Sequence, residues 1–143
     1  MIPDKEPAIP VVETPTLYSR LDDFANSVKY HRKTLMELLN DLKKDGKKIA
    51  AISSPAKGNT LLNYCKIDSE ILDYVTEKNP LKIGKFTPGM HIPVYSDEKL
   101  LEDPPDYALI LAWNFSDEII KNNFKYQELG GKFIIPIPEP RIV

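Results

Sequence analysis

Residues 48–60 read Lys48-Ile49-Ala50-Ala51-Ile52-Ser53-Ser54-Pro55-Ala56-Lys57-Gly58-Asn59-Thr60. The apolar run 48–52 predicts a buried strand, and the polar loop that follows it predicts a turn into a helix. A strand that passes through a short polar loop into a helix is the first unit of a parallel α/β sheet. This stretch therefore decides the fold class.

The rest of the chain continues the alternation of strands and helices. Further strands are predicted near residues 71–76, 91–95, 107–112 and 132–137. Helices are predicted from Leu61 to Cys65, over 96–101, and from a cap at Ser116 to about Leu129. With right-handed crossovers, this order predicts an α/β fold. We expect a Rossmann-like three-layer α/β/α sandwich whose mostly parallel five-stranded sheet has the order 3-2-1-4-5.

The N-terminal third of the chain has a different character. Apolar residues recur at helical spacing between Tyr18 and Asp45, and Gly46 follows two lysines, so a long helix is predicted over 18–45. Residues 1–15 carry four prolines and are predicted to form an extended interdomain linker or tail. Residues 16–143 are then one domain, with its α/β core over 47–143.

Composition excludes several classes of function. The 143 residues carry 19 Lys and Arg against 21 Asp and Glu, and the two signs are interspersed. This balance argues against a basic nucleic-acid face and against a polybasic membrane patch. No run approaches the ~18 apolar residues of a membrane span. The single cysteine, Cys65, excludes an internal disulfide and a multi-cysteine zinc site, and we expect it to be a small buried side chain in a reduced, cytoplasmic protein.

Ligands of such sheets bind beyond the carboxyl ends of the strands, so the polar residues there are the candidates. Residues 53–60 resemble a phosphate-binding loop, although Lys57 precedes Gly58 and the loop has only that one glycine. A helix that begins near Lys57 would present free N–H groups to an anion. The alternative is an ordinary turn capped by Asn59 or Thr60.

Three further positions leave two interpretations open. Glu77 lies where an acid holds a ribose hydroxyl in nucleotide-binding folds, or it is a solvated loop carboxylate. Trp113 and Asn114 suit a base or a sugar, or they are a core-edge indole and a turn residue. His91, at the start of the third strand, is more often structural than catalytic in such a position. The residues alone yield no nucleophile–base pair, no paired carboxylates and no metal-ligand cluster.

Five segments together closely resemble the C-terminal domain of the S-adenosylmethionine-dependent sugar C-methyltransferases. They are PAKGNTLLNYC (55–65), NPLK (79–82), TPGMHIP (87–93), LAWNF (111–115) and PEPR (138–141). Enzymes of this family methylate a carbon of a nucleotide-linked, typically dTDP-linked, deoxy-keto sugar. The resemblance implies a middle domain that binds S-adenosylmethionine and an N-terminal domain that binds zinc, neither of which is recognisable in this sequence.

The chain is therefore expected to be the nucleotide-sugar-binding domain of such an enzyme, packed on its methyltransferase domain. By itself it is expected to be inactive and to bind no cofactor or metal. The resemblance implies that Lys57 and the helix start neutralise the diphosphate and that Asn79, Trp113 and Asn114 orient nucleotide or sugar. His91 is the single catalytic candidate. The substrate-binding positions are Pro55, Ala56, Lys57, Gly58, Asn59, Thr60, Glu77, Asn79, Trp113 and Asn114.

The chain departs from the family's sequence pattern at one place, and two alternative functions remain open. Relatives often have a glycine-rich approach to the Pro-Ala-Lys-Gly-Asn loop, whereas this chain has Ile52-Ser53-Ser54, which leaves the sugar open. The chain could instead be a stand-alone Rossmann module for a nucleotide or a CoA-like ligand. It could also be a purely structural domain that packs through its long helix.

Overall fold

The computed structural model describes residues 9–143, with side chains described from Arg20 onward. Helix α1 spans Ile9–Lys44, which confirms the predicted long helix and starts it earlier than Tyr18. The prediction of an extended conformation is therefore wrong for residues 9–15, and residues 1–8 of that segment lie outside the described part. Pro10 is compatible with a helix because it lies in the first turn, where its missing N–H costs no hydrogen bond.

The structure divides into two units, residues up to Lys33 and residues Thr34–Val143. The first unit, where it is described, consists of helix, and its exposed apolar side chains include Leu21 and Phe24, which are 55% and 69% exposed. The second unit contains the end of α1 and the whole α/β core.

The remaining elements of the second unit alternate as the sequence predicts. They are β1 (Ile49–Ile52), α2 (Ala56–Cys65), β2 (Val75–Glu77), β3 (Val94–Ser96), α3 (Lys99–Glu102), β4 (Tyr107–Ile110), a 3-10 turn (Trp113–Phe115), α4 (Ser116–Asn122), α5 (Phe124–Glu128), β5 (Lys132–Ile135) and β6 (Arg141–Ile142).

The strands form one sheet of order β3-β2-β1-β4-β5-β6. The first five strands pair in parallel, which confirms the predicted order 3-2-1-4-5. The predicted count of five is wrong, since β6 adds a sixth strand antiparallel to β5. Because β6 has only two residues and follows three alternating prolines, it shows no strand periodicity in the sequence.

Several predicted boundaries are corrected. The second strand starts at Val75 rather than near Ile71; Ile71 and Leu72 are buried in the irregular segment before it. The third strand starts at Val94 rather than at residue 91. The predicted helix 116–129 is two helices, interrupted at Asn123, whose Nδ2 donates to the carbonyl oxygen of Ile119 at 2.7 Å. A side-chain bond of this kind competes with the helical pattern.

The predicted cap of this helix, Ser116, is also wrong. Phe115 occupies the N-cap position of α4 and makes no side-chain capping bond, so Ser116 is the first helical residue rather than the cap. The 3-10 turn Trp113–Phe115 immediately before it supplies the change of direction out of β4.

Two apolar clusters cover the two faces of the sheet, which gives the three layers. Leu39 of α1 and Leu62 of α2 pack with Leu109 of β4 in one cluster. Ile110, the next residue of β4, packs with Tyr126 of α5 in the other. Successive residues of a strand point to opposite faces, so β4 contributes to both clusters. Cys65 is 1% exposed in the first cluster, which confirms the expected buried position.

No helix of the described residues has both the length and the hydrophobicity that crossing a bilayer requires.

Candidate functional site

The site lies where β1 and β4 end side by side, since the chain leaves these two neighbouring strands toward different helices. Ser53, directly after β1, has φ 74°, which is uncommon for a residue with a side chain. Its N–H donates to the carbonyl oxygen of Thr76 at 2.7 Å, so this conformation is held by β2. The strand order changes direction between β1 and β4, which is the usual ligand position of such sheets.

Helix α2 approaches the segment after β4 closely. Pro55 is its N-cap residue, and the first N–H groups of a helix have no intrahelical acceptor. Gly58 is buried, and a Cβ atom built on it would lie only 2.7 Å from Leu111 Cβ. The absence of a side chain at Gly58 therefore lets the first turn of α2 lie directly against the residues that follow β4.

The first of two cavities, which we call the helix-terminus cavity, lies between α2 and the 3-10 turn. It has a volume of about 200 Å³. Five residues predicted from the sequence line it: Pro55, Ala56, Lys57, Trp113 and Asn114. It thus combines a helix N-terminus, an exposed ammonium group, an indole and a carboxamide. These are groups that bind an anion flanked by a ring.

Asn59 and Thr60 face the loop and the helix instead. The Ser54 hydroxyl donates to Asn59 Oδ1 at 3.2 Å, and the Thr60 hydroxyl donates to the carbonyl oxygen of Ala56 at 3.0 Å. Since Pro55 is the N-cap residue, neither side chain caps the helix. The capping alternative is therefore wrong, and both residues stabilise the loop–helix junction that holds Lys57.

The second cavity, the switch-point crevice, is larger, at about 340 Å³. It is lined by Ser53 after β1, by Glu77 and Lys78 at the end of β2, by Asp97 after β3, and by part of α4. Ala112 and Phe115 line both cavities. The two cavities are therefore neighbours that share one wall.

Glu77 is fixed in the wall of the crevice. It is 9% exposed, so it is not the solvated carboxylate of the alternative interpretation. Its Oε1 lies 3.5 Å from Lys82 Nζ, and its Oε2 accepts from the N–H of Lys78 at 3.0 Å. Lys82 Nζ also donates to the carbonyl oxygen of Ser54 at 2.9 Å. One ammonium group thus joins the loop after β2 to the loop after β1.

Sequence reasoning missed Asp97. It follows Ser96, the last residue of β3, whereas the sequence predicts a helix over 96–101 and so places Asp97 in that helix rather than beyond the end of a strand. Burial raises the pKa of the Asp97 carboxyl, the nearby Glu77 raises it further, and Lys78 and the Thr76 hydroxyl oppose the shift. Two carboxylates therefore lie close together in the crevice.

Asn79 and His91 line neither cavity. Asn79 Oδ1 accepts from the N–H of Leu81 at 3.0 Å, which stabilises an exposed turn. His91 is exposed, has φ 56° and lies in a loop before β3, not at the start of the strand as predicted. That loop contacts α2 through Asn63 Nδ2, which donates to the carbonyl oxygen of Pro88 at 3.3 Å.

Among the side chains that the structure describes, from Arg20 onward, no three His, Cys, Asp or Glu are grouped so that they could hold a metal ion.

Known proteins include relatives of this chain. The model of the family described as "C-methyltransferase C-terminal domain" matches residues 11–138. C-methyltransferase NovU of Streptomyces niveus is 40% identical over 121 residues, which are 85% of this chain and 29% of that protein. The chain thus spans less than a third of the length of the curated relative that it matches.

Proposed function

Because this chain belongs to the C-methyltransferase C-terminal domain family, we propose that it is the substrate-binding domain of an S-adenosylmethionine-dependent C-methyltransferase. Its ligand is a nucleotide-linked sugar of the dTDP-linked deoxy-keto class. The observation that carries the proposal is the helix-terminus cavity, in which Lys57, Trp113 and Asn114 meet at the start of α2.

The chemistry of that cavity suits a nucleoside diphosphate. The positive end of α2 and the ammonium group of Lys57 attract the diphosphate. The Trp113 indole offers a flat apolar surface to a ring, and the Asn114 carboxamide offers both a donor and an acceptor. A charged Lys57 side chain reaches an exposed phosphate without the cost of being buried.

We assign the methyl transfer itself to the remainder of a longer protein. S-adenosylmethionine supplies the methyl group, and the base that takes the proton next to the sugar ketone lies outside this chain. The junction of β1 and α2 supports this division, since its one glycine, Gly58 in the first turn of α2, packs against Leu111, and no glycine-rich turn is present there for the methyl donor. The same division assigns the zinc of the family to the remainder as well.

The exposed apolar side chains of the first unit support a packing role for α1. Leu21 and Phe24 lie one helical turn apart and are both more than half exposed. Apolar side chains in such positions are typical of a face that another surface covers. We therefore propose that this part of α1 packs on the methyltransferase domain.

Titration calorimetry of this chain tests the binding proposal. We expect dTDP and dTDP-glucose to bind and Lys57→Ala to weaken both by about ten- to hundredfold, because a charge-assisted contact contributes about 1.5–3 kcal/mol. Lys125→Ala is the matched control, since Lys125 is exposed on α5 and lines neither cavity. It should leave both affinities unchanged.

Other ligands separate the proposal from its competitors. Binding of NAD or coenzyme A, with no binding of dTDP, would replace it with a stand-alone nucleotide module. If no ligand binds, the substrate-binding role is contradicted, and packing on the methyltransferase domain remains as the function. Tight binding of S-adenosylmethionine would contradict the division between this chain and the remainder.

A further inference from the structure

The switch-point crevice differs in charge from the helix-terminus cavity. Its lining includes three carboxylates, those of Glu77, Asp97 and Glu118, and one ammonium group, that of Lys78. A diphosphate would meet repulsion in such a crevice. Carboxylates are hydrogen-bond acceptors, so the ligand groups that fit here are donors such as hydroxyls.

Part of the lining of the crevice is apolar. Ile52 at the end of β1, Phe115 in the 3-10 turn and Ile119 on α4 contribute it. A lining that combines acceptors with apolar atoms suits a sugar ring, which carries hydroxyls at its edge and C–H groups on its faces. At about 340 Å³, the crevice also has the volume of a small-molecule site.

The acceptors are held in place before any ligand arrives. Lys82 and the N–H of Lys78 hold the two oxygens of Glu77, at 3.5 Å and 3.0 Å. Each carboxylate oxygen has two lone pairs, so these contacts leave acceptor capacity on Glu77. Asp97 is hydrogen-bonded by the Thr76 side chain, and its partial burial means that a donor from a ligand would replace water that the carboxylate has lost.

We propose that the switch-point crevice binds the hydroxyl-bearing ring of a nucleotide-linked sugar through Asp97 and Glu77, while the diphosphate lies in the helix-terminus cavity. This assignment rests on the proposed function and adds a second subsite to it. The shared wall at Ala112 and Phe115 allows one ligand to reach both subsites. The ring is either the transferred sugar or the deoxyribose, since both carry hydroxyls.

Calorimetry with Asp97→Asn tests the assignment. We expect its affinity for dTDP-glucose to fall about tenfold, because the substitution removes the charge that strengthens a hydrogen bond from a hydroxyl. Glu98→Gln is the matched control, since it removes the same charge from the adjacent exposed residue, which does not line the crevice. Its affinity should equal that of the unsubstituted chain.

A comparison of dTDP-glucose with dTDP identifies the ring that lies in the crevice. A loss with dTDP-glucose alone assigns the crevice to the sugar, and an equal loss with dTDP assigns it to the deoxyribose. If Asp97→Asn binds both ligands normally while Lys57→Ala binds them weakly, the crevice assignment is wrong and the proposed function stands. If the unsubstituted chain binds neither ligand, the proposed function and this assignment fail together.

Amide chemical shifts provide a measurement that needs no substitution. On addition of dTDP-glucose, the amides of Ser53 and Lys78 should shift together with those of Lys57 and Asn114. Shifts confined to the last two would place the whole ligand in the helix-terminus cavity and overturn the second subsite.

Discussion

Gly58→Ala sets two known effects against each other. In a free helix, alanine is about 1 kcal/mol more favourable than glycine. Here the new Cβ would lie 2.7 Å from Leu111 Cβ and 3.2 Å from the Leu111 carbonyl oxygen. Both atoms belong to a fully buried residue after β4 and cannot rotate away. Overpacking of this kind costs about 1–3 kcal/mol, so we expect a net loss of about 1 kcal/mol.

Urea unfolding, monitored by circular dichroism, measures the resulting change in the free energy of unfolding. The control is Glu37→Ala, which changes an exposed residue in the interior of helix α1 and meets no crowding, so it should gain a few tenths of a kcal/mol. Gly58→Ala should also weaken dTDP binding, because the first turn of α2 has to move relative to Trp113. If Gly58→Ala were stabilised as much as the control, the close packing of α2 on Leu111 would be refuted.

Three further substitutions test other contacts. Tyr126→Phe removes the buried hydroxyl that donates to the Pro105 carbonyl oxygen at 2.8 Å, and should cost about 1–2 kcal/mol in urea unfolding; an unchanged midpoint would contradict it. Lys82→Met leaves Glu77 buried without its cation and removes the bond to the Ser54 carbonyl oxygen, and should cost about 1–2 kcal/mol; Glu77→Gln in the same chain should recover only the part that is due to the unpaired charge. Asp97→Asn should stabilise the chain at pH 7, because burial raises the pKa of this carboxyl above 3.8 and so penalises its charged form. That gain should vanish at pH 3, below the pKa of the unfolded chain, and a gain that persists there would refute the cause.

The order of the sheet could be predicted because its central strands are decided locally. Continuous apolar runs such as 107–112 mark strands that are buried on both faces, and connection rules then leave few topologies. The boundaries of the edge strands depend on contacts that are not local in sequence. The start of β3 depends on its loop, in which the N–H of Val94 donates to the carbonyl oxygen of Lys85. Hydrogen bonds of that kind leave no periodic signal in the sequence.

The helix-terminus cavity could be anticipated from the rule that ligands lie beyond strand ends. Lys57, Trp113 and Asn114 lie within a few residues of the ends of β1 and β4, so the topology brings them together. The crevice could not be anticipated in the same way. Lys82 reaches Ser54 across 28 positions of sequence, and this contact depends on how a turn folds back over the sheet. Asp97 falls inside the predicted helix 96–101, whereas α3 starts only at Lys99 and leaves Asp97 in the turn after β3.

The two edges of the sheet are short, with three residues in β3 and two in β6. Beyond β6, the Val143 N–H and carbonyl still exchange hydrogen bonds with Phe133, at 2.9 Å and 3.0 Å. A long open edge invites another chain to add a strand, whereas short ones leave little backbone for it to pair with. Partners of this domain should therefore recognise its side chains. Removal of residues 141–143 would uncover the main chain of β5 and favour self-association by strand addition.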